Sequence, residues 1–459
     1  MAQWLVLIGL FIKSYGSSIP VTLASIPIYL YFIFLCRKVW QQPEKLDAIT
    51  FDPKVTLWAF IILIDQLIMI GVSYATTDHP DFTRGIMNSS VNTVAYFGSA
   101  FLIYYLLVVL LDSQEQILKF VQGTIKTFVG FTILVLLPQV IATVSPILNG
   151  WVNLVGKLFE SKHFGRDDFY SMGSYTTTLH RVNGFSSEAS FLAVLLAVVF
   201  IPLILAAIRY NFSYFKNRVE RTTTKFYWVL LVASFLVLFF AKTTTGILVI
   251  IFAGLILLVR LESKRRKQLF LFALLACCFV GLLYLTVPYI QNLLDSFLFK
   301  KQGTSNRLGG TIGLLLTFLH YPITGVGDGF TSFYNFKFVP LSTTHNWEYQ
   351  AIFQQSGYPI QSIWGGWLAG YGLIGIGPIL IFIYHKCKQA VTLYQKIDLR
   401  HDTQLTLYQV LIESFFYSLI MLFILALFTF SWSDSIYLVI FFFYIVMIKF
   451  VGSQLQNEH

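Results

Sequence analysis

Three cations in this chain stand where apolar runs end. Arg181 lies in Leu179-His180-Arg181-Val182-Asn183-Gly184-Phe185-Ser186-Ser187-Glu188, a polar run leading straight into an apolar block. Lys242 opens Lys242-Thr243-Thr244-Thr245-Gly246, the short turn between two apolar blocks, and Arg307 follows Asn306 at the start of another. A cation at the edge of hydrocarbon is costly to leave without a counter-charge, which makes it a candidate for anion binding. Arginine adds a planar fork that matches phosphate oxygens two at a time. Taken singly, each of the three fits pairing with a carboxylate such as Glu188 or Asp328 equally well. Together they point to an anion site.

Two further residues could move a proton. Glu188 begins an apolar block, where burial would raise its pKa toward neutrality and suit it to general-base work. It could instead pair with Arg181 or sit at the positive end of a helix dipole. His345, in Thr343-Thr344-His345-Asn346-Trp347-Glu348, stands among aromatic residues, and imidazole is the usual proton carrier near neutral pH. His163 and His180 lack such a setting. With no His/Cys cluster, no Asp-x-Asp pair and no P-loop, neither a metal ion nor a nucleotide cofactor is expected.

The elements that must hold these residues follow from composition. Hydrophobic residues make up 56 % of the chain and charged residues only 12 %, where a soluble domain carries about 25 % charged residues. The apolar residues fall in long continuous blocks near 2–13, 19–36, 55–75, 91–111, 127–147, 188–207, 226–241, 246–260, 269–288, 363–384, 407–430 and 436–450. Runs of this length cross hydrocarbon as helices, because every backbone polar group then finds a partner inside its own segment. The expectation is therefore an all-α polytopic membrane protein of about a dozen spans, with residues 1–459 forming one membrane domain.

Charge placement sets the orientation. Most of the 32 Lys and Arg residues lie in one set of loops, which includes Arg37, Lys38, Arg209, Arg218, Lys264 to Lys267, Lys386 and Lys388. The positive-inside rule assigns this set and both termini to the cytoplasm. The net charge of +10 thus follows membrane topology, and no nucleic-acid partner is implied. Two long segments, 148–187 and 289–362, fall on the outer face, where ordered loops concentrate function. Each opens with an amphipathic stretch, Trp151 to Phe159 and Ile290 to Leu298, suited to lying in the outer headgroup layer. Gly325-Val326-Gly327-Asp328-Gly329 lacks the preceding strand of a phosphate-binding loop and reads as a tight turn at the membrane surface. Cys36, Cys277, Cys278 and Cys387 lie in or beside apolar blocks and read as free core thiols.

In order and spacing these features resemble the bacterial O-antigen polymerase and ligase superfamily, of which the Wzy-type polymerases are one branch. The resemblance rests on Arg181, Gly184, Phe185 and Glu188 entering a span, then on the basic hairpin turn from Lys242 to Gly246. It continues with Arg307 followed by Pro322, Gly325, Gly327 and Gly329, and with His345-Asn346 ahead of Gly370-Tyr371-Gly372-Leu373-Ile374-Gly375. It implies a GT-C-like helical fold and a metal-independent glycosyltransferase without cofactor in the bacterial cytoplasmic membrane. That enzyme would polymerise undecaprenyl-diphosphate-linked oligosaccharides on the outer face, with a chain-length regulator as a further partner. By the same resemblance Arg181 and Arg307 bind the diphosphate, joined by Lys242, and His345 or Glu188 serves the acceptor hydroxyl. Lys242 departs from the arginine common at that turn and lacks its fork. Tyr334, Phe336, Phe338, Trp347, Tyr349, Tyr358, Trp364 and Trp367 could stack on sugars or mark the membrane interface. The alternatives are a ligase that passes the glycan to another acceptor, and a transporter or flippase for lipid-linked oligosaccharide. Transport would call for paired discontinuous helices and charges at mid-membrane depth, where Asp65 is the clearest case.

Overall fold

The computed structural model describes the chain except residues 12–25, 163–165, 221, 223, 289–290, 292–294, 296–303, 401–404 and 458–459. The expected amphipathic stretch from Ile290 to Leu298 and the start of the expected second span lie mostly outside the described residues. The described chain is helical apart from a two-stranded ribbon, β1 (Phe212–Ser213) against β2 (Arg218–Val219). Its helices are α1 (Leu5–Gly9), α2 (Ile26–Gln41), α3 (Pro53–Thr76), α4 (Ile86–Leu110), α5 (Gln114–Phe131), α6 (Leu137–Ala142), α7 (Asn149–Phe159) and α8 (Tyr175–Leu179). They continue with α9 (Ala189–Leu195), α10 (Ile201–Tyr210), α11 (Thr224–Phe240), α12 (Thr244–Arg260), α13 (Ser263–Thr286), α14 (Thr304–His320), α15 (Thr331–Phe338), α16 (Ile363–Arg400), α17 (Thr406–Leu425) and α18 (Ser435–Asn457).

Among the described residues seven stretches are long and apolar enough to cross a membrane: Pro53–Thr76, Pro80–Leu110, Gln114–Ala142, Ala189–Tyr210, Ile363–Arg400, Thr406–Leu425 and Ser435–Gln456. α11 and α12 are shorter apolar helices. The expected first span is a short 3-10 turn (Ala2–Trp4) followed by the five-residue α1. Gly123 of α5 has no side chain to obstruct it, since a Cβ there would fall 2.1 Å from Gln3 O. Side-chain placement shows which solvent the bundle is built for. On α3, Gln66 and Ser73 are buried while Ile61, Ile64, Ile68 and Val72 are exposed. Such inversion is stable against lipid, where buried polar groups find partners and outward isoleucines meet hydrocarbon. Cys36 and Cys278 are likewise exposed, which corrects the expectation of core thiols, although both are free.

The enclosed centre is α9 and α10, joined through a π-turn at Leu196–Phe200 and packed on α17 and α18. The wide turn leaves carbonyls without helical partners, and Ser418 of α17 supplies one, its Oγ donating to Val198 O at 2.8 Å. A second π-turn, Thr132–Leu136, joins α5 to α6. Trp151 of α7 donates its indole N–H to Leu134 O there, at 2.8 Å. α7 forms over the amphipathic stretch expected at the start of the first outer segment, and it exposes Trp151, Leu154 and Leu158.

The Gly325–Gly329 segment has the expected tight backbone, with positive φ at each of its glycines, but it is packed among helices. It is inserted between α3, α4 and a break in α16, where Gly372 has φ 55° and ψ −163°. A helix break strands carbonyls on one side and N–H groups on the other. The segment satisfies both. Val326 N and Gly327 N donate to Ala369 O and Gly370 O, while Leu373 N and Ile374 N donate to Pro322 O and Ile323 O, all at 2.9 Å. Non-helical backbone survives inside a bundle only where it is covered in this way. Glycine is required because a Cβ on Gly325 would fall 2.4 Å from Gly370 O, and one on Gly372 2.4 Å from Ile323 O.

Candidate functional site

Arg181 is positioned by backbone pairing across the bundle. Val182 N donates to Phe240 O at 3.1 Å, and Arg181 Nε donates to Ala241 O at 3.3 Å. These contacts place the arginine beside the turn between α11 and α12. Lys242 is in that turn with φ 51°, and the next residue, Thr243, caps α12 by accepting from Gly246 N at 2.8 Å. The approach is close because Gly246 carries no side chain: a Cβ there would fall 2.8 Å from Leu238 O. Burial, then the neighbouring Arg181 guanidinium, holds the Lys242 ammonium below the usual lysine range. The Lys242 ammonium and the Arg181 guanidinium are thus neighbours at one corner of the bundle.

The Arg181 guanidinium lies 5.9 Å from the centre of the Tyr175 ring. Burial pushes the Tyr175 phenol up, Arg181 opposes the rise, and the charges of Glu188 and Glu160 add to it. One tyrosine therefore reports Arg181, Glu188 and Glu160 as common neighbours. Glu188 is the residue before α9 and accepts from Ser190 Oγ at 3.2 Å. Glu160 is buried, accepts from Tyr175 N at 3.2 Å, and is bonded by Asn183 Nδ2, which also donates to Ser186 O at 2.6 Å. Gly184 is clamped by Gln139 of α6, whose Nε2 donates to Gly184 O at 2.9 Å while its Oε1 accepts from Gly184 N at 2.8 Å. With φ at +62° and Phe131 Cζ only 2.9 Å from a would-be Cβ, position 184 admits glycine alone without strain. The Arg181-to-Glu188 run is thus held rigidly at both faces. Glu160 and Gln139 do this and were not legible as site residues, because neither belongs to the local motif.

Arg307 and His345 form a second group. Both are exposed, and each adjoins one member of a linked asparagine pair. Asn306 Nδ2 donates to Asn346 Oδ1 at 3.0 Å and to Glu348 Oε2 at 2.6 Å, and Asn346 Nδ2 returns a bond to Asn306 Oδ1 at 2.5 Å. Tyr358 fixes the same corner by donating its hydroxyl to Asn306 O at 2.8 Å. Among the described residues no hydrogen bond, ion pair or ring contact joins this group to that of Arg181.

Of the aromatic residues expected to face sugars, Tyr334 and Tyr358 are buried in the core and Trp347, two residues from His345, is exposed. Asp328 sits beside Arg84, whose N–H donates to Gly329 O at 3.1 Å, and its own backbone N–H donates to Gln66 Oε1 at 3.2 Å. Burial pushes the Asp328 carboxyl up against the opposing pull of Arg84. The cationic neighbour of Asp328 is therefore Arg84, a residue not singled out by its motif. No group of three or more His, Cys, Asp and Glu side chains that could hold a metal occurs among the described residues. Comparison with known proteins finds no matching family model and no significantly similar curated sequence. The site stands on its own geometry.

Proposed function

We propose that this protein is a membrane glycosyltransferase of GT-C-like architecture. It polymerises undecaprenyl-diphosphate-linked oligosaccharide repeat units on the outer face of a bacterial cytoplasmic membrane. The observation that carries the reading is the pairing of Arg181 with Lys242 at one rigid corner, with Glu188 sharing Tyr175 as a neighbour. The resemblance in motif order supports it. In the proposed reaction an acceptor hydroxyl attacks the anomeric carbon of the donor glycan, its proton passes to His345 or Glu188, and the carbon–oxygen bond to the diphosphate breaks. The bonding electrons leave with the diphosphate, where negative charge grows. Arg181 and Lys242 would meet that growing charge as cations held at one corner, with the exposed Arg307 joining from the second group, which favours the transition state over the ground state. Loss of one such contact is worth about 2.7–4 kcal/mol of barrier, or roughly 100–1,000-fold in rate.

Arg181→Lys and Arg307→Lys test this directly. Lysine keeps the charge and loses the fork. Each variant should accumulate at normal level while glycan polymer disappears and single lipid-linked units build up. Wild-type polymer length from both Arg→Ala variants would end the proposal. His345→Ala and Glu188→Gln then separate the two candidate bases, since only loss of the base blocks polymer formation without loss of donor binding.

The ligase alternative shares this donor chemistry and differs in the acceptor, so product analysis with a purified repeat unit separates the two. A transporter reading draws on the broken helix at Gly372. It requires movement of lipid-linked oligosaccharide across vesicles with no new glycosidic bond.

A further inference from the structure

At the end of the bundle that carries the basic loops, α16 and α18 leave a groove of about 330 Å³ between them. One wall is a stripe of α16 made by His385, Lys388, Thr392 and Lys396, spaced so that all four share one helix face. All four are exposed. Across from them Gly452 of α18 contributes no side chain, and a Cβ there would stand 3.3 Å from Gln389 Nε2. The two helices therefore approach closely at that level, and the groove opens beside this contact.

Among the described residues no carboxylate lines the groove. Among the described residues neither Lys388 nor Lys396 has an ion-pair partner, whereas Lys45, Lys119 and Lys216 of the same set of loops are each bridged to an Asp or Glu. Among the described residues the groove therefore holds two lysines without a counter-charge. Its depth is set by the flanking sequence. The apolar run of α16 ends at Tyr384, just before His385, and that of α18 ends near Phe450, two residues before Gly452. His385 and Lys388 thus stand where hydrocarbon gives way to headgroups, and Lys396 lies about 16 Å beyond His385 along the helix.

We propose that this groove binds a phosphate group, with Lys388 and Lys396 as its cations. Two sources carry that chemistry: the headgroup of an anionic lipid, and a soluble phosphate. The site is separate from the Arg181 corner and does not depend on the function proposed above.

The test uses the full chain in nanodiscs. A fluorescent phosphatidylglycerol in a phosphatidylcholine background reports the lipid arm, and inorganic pyrophosphate in pure phosphatidylcholine discs reports the soluble arm. The Lys388→Gln/Lys396→Gln double variant alters only exposed side chains and retains the packing of both helices. A lysine near an anionic surface contributes about 1 kcal/mol, so losing two should weaken binding by about 30-fold. Lys264→Gln/Lys267→Gln, which removes two exposed charges of α13 outside the groove, should leave binding within about twofold. Selective loss of phosphatidylglycerol binding identifies a lipid, and selective loss of pyrophosphate binding a soluble ligand. Unchanged binding of both probes by the groove variant, or equal weakening by the α13 pair, overturns the proposal.

Discussion

Lys242 is the residue whose charge the fold has made most conditional. Burial and Arg181 both lower its pKa, so its ammonium is lost as pH rises through a range below that of an ordinary lysine, about 10.4. The sign has two consequences. The native state binds fewer protons here than the unfolded chain, so stability rises with pH across this window. If the ammonium meets the diphosphate, activity falls across the same window. Thermal stability and polymerase rate, measured against pH in one preparation, should therefore move in opposite directions. Lys242→Arg, which stays charged, should shift the alkaline fall in rate to higher pH, and an unshifted profile would remove Lys242 from the site. Gln139 offers a purely structural test at the same scale. Gln139→Leu leaves the buried Gly184 N–H and C=O without their side-chain partner, at about 1–3 kcal/mol for each orphaned group. We expect a lower apparent Tm in detergent, with Gln139→Glu in between because it still accepts from Gly184 N.

At the scale of elements, the interlock between the Gly325–Gly329 segment and the break in α16 is the unusual feature. Its glycines differ from those elsewhere in the bundle. Gly325 and Gly372 have positive φ and would drive a Cβ into backbone atoms, whereas Gly71 and Gly377 have nothing within 4 Å of that position. Gly325→Ala and Gly372→Ala should each destabilise by about 1–3 kcal/mol or more from overpacking alone. Gly71→Ala and Gly377→Ala should be neutral or stabilising by up to about 1 kcal/mol. Yield of monodisperse protein and apparent Tm would distinguish the pairs, and equal behaviour of all four would count against the interlock. The segment also ties Asp328 to Gln66 of α3 and Gly329 to Arg84 just ahead of α4, so its loss should disturb packing far from residue 325.

For the whole molecule, orientation is the property that every functional statement depends on. Trp347 is 75 % exposed and lies in the segment expected outside, while Gln456 is exposed at the end that carries the basic loops. In a background lacking the four native cysteines, Trp347→Cys should react with an impermeant thiol reagent on intact cells, and Gln456→Cys only after permeabilisation. The reverse pattern would move the Arg181 corner to the cytoplasm and remove access to an outer-face donor.

Several features were legible in the sequence because they depend on local rules. Helical spans follow from continuous apolar runs, since lipid forces each segment to satisfy its own backbone. The amphipathic α7 follows from the spacing of Trp151, Leu154, Leu158 and their neighbours. The hairpin of α11 and α12 follows from a polar turn with Thr243 as cap. The side-by-side placement of Arg181 and Lys242 required tertiary structure, because the bonds of Val182 N to Phe240 O and of Arg181 Nε to Ala241 O span some sixty positions of chain. The same holds for Glu160 and Gln139, ordinary polar residues until folding brings Asn183 and Gly184 against them. The packing of the glycine run at 325–329 among helices is invisible locally for a related reason. Local sequence can specify a tight, positive-φ backbone, but only the partner's unsatisfied carbonyls and N–H groups at the α16 break decide where that backbone is stable.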